Sequence, residues 1–137
     1  MLRILLAAGA LCAATPVFAS SADKNCLADV IYAEARGESR AGQVAVAEVV
    51  MNRVESPHFP KTVCSVVRQK GQFAPKARVS ERAAYETAKA IANEVYEGRT
   101  HDATRGATYF HTPAVKPDWS HRFTRTAKIG SHIFYKR

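Results

Sequence analysis

Cysteines, long apolar runs and clustered charge are all scarce in this chain of 137 residues. No stretch approaches the roughly 20 apolar residues a membrane-spanning helix needs. No Lys/Arg run reaches five, which argues against a nucleic-acid-binding arm. No internal repeat or low-complexity tract is present, which excludes solenoids and gives no sign of a second domain. No two histidines stand four apart and no Cys-x-x-Cys occurs, so the short zinc spacings are missing. Neither a serine nucleophile elbow nor a phosphate-cradling glycine loop is found.

What is present begins with an address. Arg3 supplies a positive start, Ile4 to Cys12 are apolar, and Val17-Phe18-Ala19 resembles a cleavage site, so residues 1–19 read as a signal peptide. A retained N-terminal anchor is the alternative. Leu11 is too bulky for the residue preceding a lipidated cysteine, so Cys12 does not read as a lipid anchor. The expectation is export to the periplasm or cell-wall space, as a monomer without stable membrane insertion. Residues 20–137 suffice for one domain with a modest core.

Of three cysteines, Cys26 and Cys64 survive processing and have one possible pairing. An oxidising compartment permits that bridge; two buried thiols are the alternative. Twenty Lys and Arg against twelve Asp and Glu give a formal charge of +8, favouring an anionic partner.

The first half reads helical. Leu27, Val30, Ile31 and Glu34 fall at i, i+3, i+4 and i+7, one face of a helix that Gly37 ends. A second helix spans Arg40 to Glu55, with Val46, Val49, Val50 and Val54 on one stripe. Pro60 opens a short helix over Lys61–Arg68. Ser80 caps a longer one that ends at Gly98, with Ala84, Ala88, Ile91 and Val95 inward. After Gly98 the pattern changes. Ala107–His111, Phe123–Ile129 and His132–Tyr135 read as three short strands, the last two joined at Gly130-Ser131. Helices followed by a small antiparallel sheet make an α+β domain, with room for an extended ligand between the parts.

Glu34 is the leading chemical candidate. A carboxyl at the edge of an apolar face loses hydration, which favours the protonated form a general acid needs. The alternative is a helix-end glutamate paired with Arg36 or Arg40. Glu38 lies one turn on and reads best as a hydrogen-bonding group at the start of the next helix. Glu48 points away from the valine stripe and reads as solvated. Tyr109, Phe110, Trp119, Phe123 and Phe73 offer flat faces for sugar rings, and Asn52, Gln72, Thr112 and Asp118 offer hydrogen bonds. Trp119, in the polar turn Lys116–Ser120, is the aromatic least explained by packing. His101, His111, His121 and His132 with Asp102 are of the residue types that could assemble a zinc site, but without the short spacing no metal or other cofactor is expected.

The blocks Tyr32–Glu38, Gly42–Ala47, Asn52-Arg53-Val54, Gly71-Gln72-Phe73, Pro117–Ser120 and Ile129–Tyr135, in this order, resemble the SleB-type cell-wall hydrolases, also called spore cortex-lytic enzymes. The resemblance runs from about Leu27 to Tyr135. It implies a lysozyme-like, lytic-transglycosylase-like fold and peptidoglycan glycan strands as substrate. It also implies a catalytic glutamate at Glu34. Glu38, Asn52, Gln72, Phe73, Tyr109, His111 and Trp119 are the expected substrate contacts. Glu48 and the pair Tyr109-Phe110 depart from the family's usual residues. On this basis the expected reaction is cleavage of the β-1,4 bond between N-acetylmuramic acid and N-acetylglucosamine, with 1,6-anhydromuramyl ends as products. Amide cleavage at the muramyl–peptide bond, and wall binding without catalysis, are the rivals.

Overall fold

The computed structural model describes residues 8–11, 17–74 and 76–137. Most of the expected signal peptide lies outside the described residues. No helix among the described residues is long and apolar enough to cross a membrane.

Four helices precede a three-stranded sheet. Helix α1 spans Val17–Ala35, α2 Arg40–Glu55, α3 Val63–Val67 and α4 Arg82–Tyr96. Strands β1 (Tyr109–His111), β2 (Thr124–Ile129) and β3 (His132–Lys136) follow, with a 3-10 turn at Asp118–His121 between the first two.

Helix α1 begins ten residues before Leu27, where the apolar period starts. The stretch of residues 20–25 that precedes it is mostly polar, and what anchors it is remote in sequence: Asp23 accepts the Cys64 N–H at 3.2 Å, and Cys26 is bridged to Cys64 with Cα atoms 5.3 Å apart. At its far end Gly37 takes φ +89°, a conformation that lets the chain reverse into α2. Helix α2 has the expected bounds. Ser39, not Glu38, caps it, its Oγ accepting the Gly42 N–H at 3.3 Å.

Two caps differ from expectation. Helix α3 is opened by Thr62, whose hydroxyl accepts the Ser65 N–H at 3.2 Å, rather than by Pro60. Helix α4 is not capped by Ser80. The buried Tyr32 hydroxyl accepts the backbone N–H groups of both Ser80 and Glu81 at 3.1 Å, satisfying from α1 the donors a cap would satisfy locally.

Leu27, Ile31, Tyr32, Val46, Val50, Val63, Val66 and Ile91 are essentially excluded from water and form the main core among the helices. Each large side chain buried there contributes about 1.5–3 kcal/mol of transfer free energy. A second cluster, Ala45, Val49, Ala107 and Phe134, attaches the sheet to α2. The valine stripe therefore serves two cores: Val46 and Val50 face the helices, Val49 the sheet, and Val54 is only half-buried. In the sheet β3 is central, antiparallel to β1 on one side and β2 on the other. Phe110 pairs with Phe134, and the β2 register slips between Arg125 and Ala127.

Candidate active site

A groove of about 700 Å³ lies between the helical half and the sheet. Glu34 stands in its wall, half-buried on the last turn of α1, one step beyond the residues that fill the core. The same helical period that buries Leu27, Val30 and Ile31 carries Glu34 to the boundary with water. Its Oε1 accepts the Ala74 N–H at 2.7 Å, which orients the carboxyl and leaves Oε2 free. It pairs with neither Arg36 nor Arg40: Arg36 approaches Glu81 and Arg40 is bonded to Glu94.

The facing wall is aromatic. Tyr109 from β1 packs against Trp119 and Phe123, with centroids 5.2 and 4.8 Å away, and Trp119 stacks on Phe123. Trp119 is thus part of a built aromatic cluster and also borders the groove. His111 stacks on Tyr135. Both of its nitrogens are engaged: Nδ1 lies 2.7 Å from the Thr112 carbonyl, to which it donates, and Nε2 accepts the Tyr135 hydroxyl at 2.9 Å. His111 can therefore offer a sugar its ring surface but no free nitrogen. Gln72 borders the groove with its Oε1 accepting from Arg53.

Arg53 is the residue whose importance sequence reasoning missed. Only 3% exposed, it lies under Phe59, Phe73 and Tyr109, with its guanidinium carbon 4.8, 4.8 and 5.1 Å from the three ring centres. Nε donates to the Thr108 carbonyl at 2.7 Å and Nη1 to Gln72 Oε1 at 3.2 Å. Burial lowers its pKa to about 10, which leaves it charged at neutral pH. This cation fastens α2, the Gln72 loop and β1 together beneath the groove. The block Asn52-Arg53-Val54 was its only sequence signal.

Not every expected contact converges here. Asn52 donates to Asp102 and to the Ala107 carbonyl, both at 3.0 Å, and holds the loop before β1 away from the groove. Phe73 packs against Phe110 and lines a neighbouring cleft of about 400 Å³ on the α1 side. Glu38 receives hydrogen bonds from the N–H and hydroxyl of Ser131, so it secures the β2–β3 turn. Glu48 is not solvated. It is 9% exposed, accepts the Thr100 hydroxyl at 2.6 Å, and burial raises its pKa. The helix face opposite the valine stripe is covered by the loop after α4, a contact without local sequence signal. His132 is buried at the groove's edge, whereas His101 and His121 are exposed. Among the described residues no three His, Cys, Asp or Glu side chains are grouped to hold a metal ion.

Comparison with known proteins identifies the family. A family model described as Cell Wall Hydrolase matches residues 37–135, beginning three residues after Glu34. The spore cortex-lytic enzyme of Bacillus cereus is 38% identical over 124 residues, covering 85% of this chain and 45% of that protein. That of Halalkalibacterium halodurans is 36% identical over 126 residues, covering 87% of this chain and 36% of that protein. The chain thus spans less than half the length of these relatives. Among solved structures, the catalytic domain of the Bacillus cereus SleB protein superposes with a TM-score of 0.71 at 36% identity, over 85% of this chain and 91% of that one. The catalytic domain of the germination-specific lytic transglycosylase SleB from Bacillus anthracis gives 0.68 at 36% identity, over 89% and 100%. The fold is therefore that of a SleB catalytic domain, and the chain belongs to the cell wall hydrolase family.

Proposed function

We propose that this protein cleaves the β-1,4 bond between N-acetylmuramic acid and N-acetylglucosamine in peptidoglycan, as a lytic transglycosylase with Glu34 as its catalytic group. The observation that carries this reading is that, among the described residues, Glu34 is the one Asp or Glu side chain lining the groove. Hydrolysis by a glycosidase ordinarily needs two, about 5–5.5 Å apart for retention or about 6.5–9.5 Å for inversion. Intramolecular transglycosylation needs one.

Protonated Glu34 donates through Oε2 to the glycosidic oxygen as the C1–O bond breaks, and the N-acetylglucosamine side leaves with that proton. The Glu34 carboxylate then takes the proton of the muramyl C6 hydroxyl while O6 bonds to C1. A 1,6-anhydromuramyl end forms, Glu34 is protonated again, and no water is consumed. The Ala74 N–H keeps the carboxyl aimed through both half-reactions. Tyr109 and Trp119 supply apolar faces for pyranose C–H groups. We take the chain to act as an exported monomer once residues 1–19 are removed, where an oxidising environment preserves the Cys26–Cys64 bridge.

Mass spectrometry of the soluble products from purified peptidoglycan tests the reading. Anhydromuramyl ends are expected. Reducing muramyl ends would mean hydrolysis with an unrecognised second group. Free stem peptides, abolished by chelator, would mean amide cleavage. Glu34→Gln keeps the shape and loses the proton, so turnover should fall at least about a hundredfold with the fold intact. Near-normal turnover by that variant would remove Glu34 from its role.

A further inference from the structure

We infer that His132, held in place by Glu38, is a second polar contact of the glycan groove, presenting imidazole Nε2 as a hydrogen-bond acceptor to a sugar hydroxyl beside Glu34. This deepens the glycan-cleaving reading above and rests on it.

His132 is 3% exposed yet borders the groove. Its ring stands edge-on to Phe110 and Phe134, with centroids 5.0 and 6.2 Å away. Nδ1 is buried without a hydrogen-bond partner, and Glu38 Oε1 lies 3.8 Å from it. A buried nitrogen left unpaired is costly, and a slight tightening toward Glu38 satisfies it. The negative charge there favours the tautomer with hydrogen on Nδ1. Nε2, on the other side of the ring, is then left with a lone pair. Burial lowers the imidazole's pKa, and the charges of Glu38 and Glu34 oppose that shift.

Glu38 is itself seated for this. The Gln43 amide holds its backbone carbonyl at 3.1 Å, and Ser131 holds its carboxylate through both N–H and hydroxyl. Two glycines make the space. A Cβ on Gly42 would lie 3.1 Å from Glu38 Cβ, and one on Gly130, at φ +58°, would lie 2.7 Å from Oε2. The blocks Gly42-Gln43 and Gly130-Ser131-His132, far apart in sequence, thus build one cradle. A carboxylate only securing a turn would not need an imidazole with an unpaired nitrogen beside it. Glu38 is the positioning residue, and His132 touches the substrate.

Two measurements decide this. In the first, kcat and KM on purified peptidoglycan are compared for wild type, His132→Phe, Glu38→Ala and Glu38→Gln. His132→Phe should lose at least about tenfold in kcat/KM, as expected for a lost hydrogen bond in the reacting complex. Glu38→Ala should fall comparably, and Glu38→Gln, which retains an acceptor, should recover most of it. A folded His132→Phe that cuts at the wild-type rate overturns the inference. In the second, ¹⁵N NMR of the imidazole in Glu34→Gln reads the tautomer directly, with no variant at position 132. Hydrogen on Nδ1, and an Nε2 resonance that moves when a peptidoglycan tetrasaccharide is added, support it. Hydrogen on Nε2, or a resonance the sugar leaves unmoved, refutes it. A wild-type protein that releases no glycan product overturns the glycosidase reading instead, and the tautomer measurement still stands.

Discussion

Two buried charges show how little the linear pattern says about a single residue. Glu48 occupies the polar side of an amphipathic helix, and period alone leaves it in water. The loop after α4 covers that side, and no local signal announces a covering loop. Its raised pKa has a consequence with a definite sign. Over the interval above the ordinary value of 4.5, the folded state holds a proton that the unfolded state has released. Glu48 therefore costs stability as pH rises through that interval, with the cost fully present above the folded pKa. Glu48→Gln keeps an acceptor for the Thr100 hydroxyl and removes the ionisation. Urea unfolding from pH 4 upward should give a flatter profile for that variant, and equal or greater stability at neutral pH. A steeper profile would mean that the carboxylate has an unrecognised cationic partner. Arg53 escapes sequence reading for the opposite reason. An arginine near a helix end looks solvated, and only the aromatic rings from two loops and a strand turn it into a buried cation.

At the level of elements, local period predicted well and capping predicted poorly. The bounds of α2 and the existence of the three strands were legible because their apolar positions repeat at 3.6 or near 2 residues, although β1 begins at Tyr109 rather than Ala107. The start of α4 was not, because its cap is supplied by Tyr32, almost fifty residues earlier. Tyr32→Phe leaves the core packing in place and strands two backbone donors. It should cost about 1–3 kcal/mol, readable as a lowered thermal midpoint, with lost protection concentrated in the first turn of α4 in hydrogen exchange. Loss spread evenly over the helices would point to packing instead. The Cys26–Cys64 bridge ties α1 to α3 across 38 positions. Its removal by a Cys26→Ser/Cys64→Ser pair should lower unfolding free energy by about 2–4 kcal/mol. An unchanged denaturation midpoint would mean that the helical core alone fixes this contact.

On the scale of the whole molecule, the proposed function gives the surface charge and the groove separate tasks. With a formal charge of +8, or +7 once Arg3 is removed, attraction to an anionic wall polymer should bring the protein to its proposed substrate without choosing the bond to cut. Retention on sedimented peptidoglycan should therefore fall steeply as ionic strength passes about 0.15 M, where screening reaches roughly 8 Å. Turnover of a short soluble glycan should change much less. Equal loss of both would place the charges inside the groove's own recognition. The α+β architecture and the groove between its halves were readable from the order of periodic segments. Which candidates line that groove was not, because Asn52 and Glu38 face partners that only the tertiary fold brings near.

The strand order β1-β3-β2 carries a consequence for how the molecule comes into being. The central strand is the one synthesised after both its neighbours, so β1 and β2 wait without a ladder until residues 132–136 arrive. The helices can gather around their own core meanwhile, since its buried members all precede residue 100 and only Phe110, packed at its edge, comes later. The groove cannot. His132, Tyr135 and the Ser131 clasp on Glu38 come from that closing segment, so a hydrophobic interior can exist without residues 131–136 but the groove's polar edge cannot.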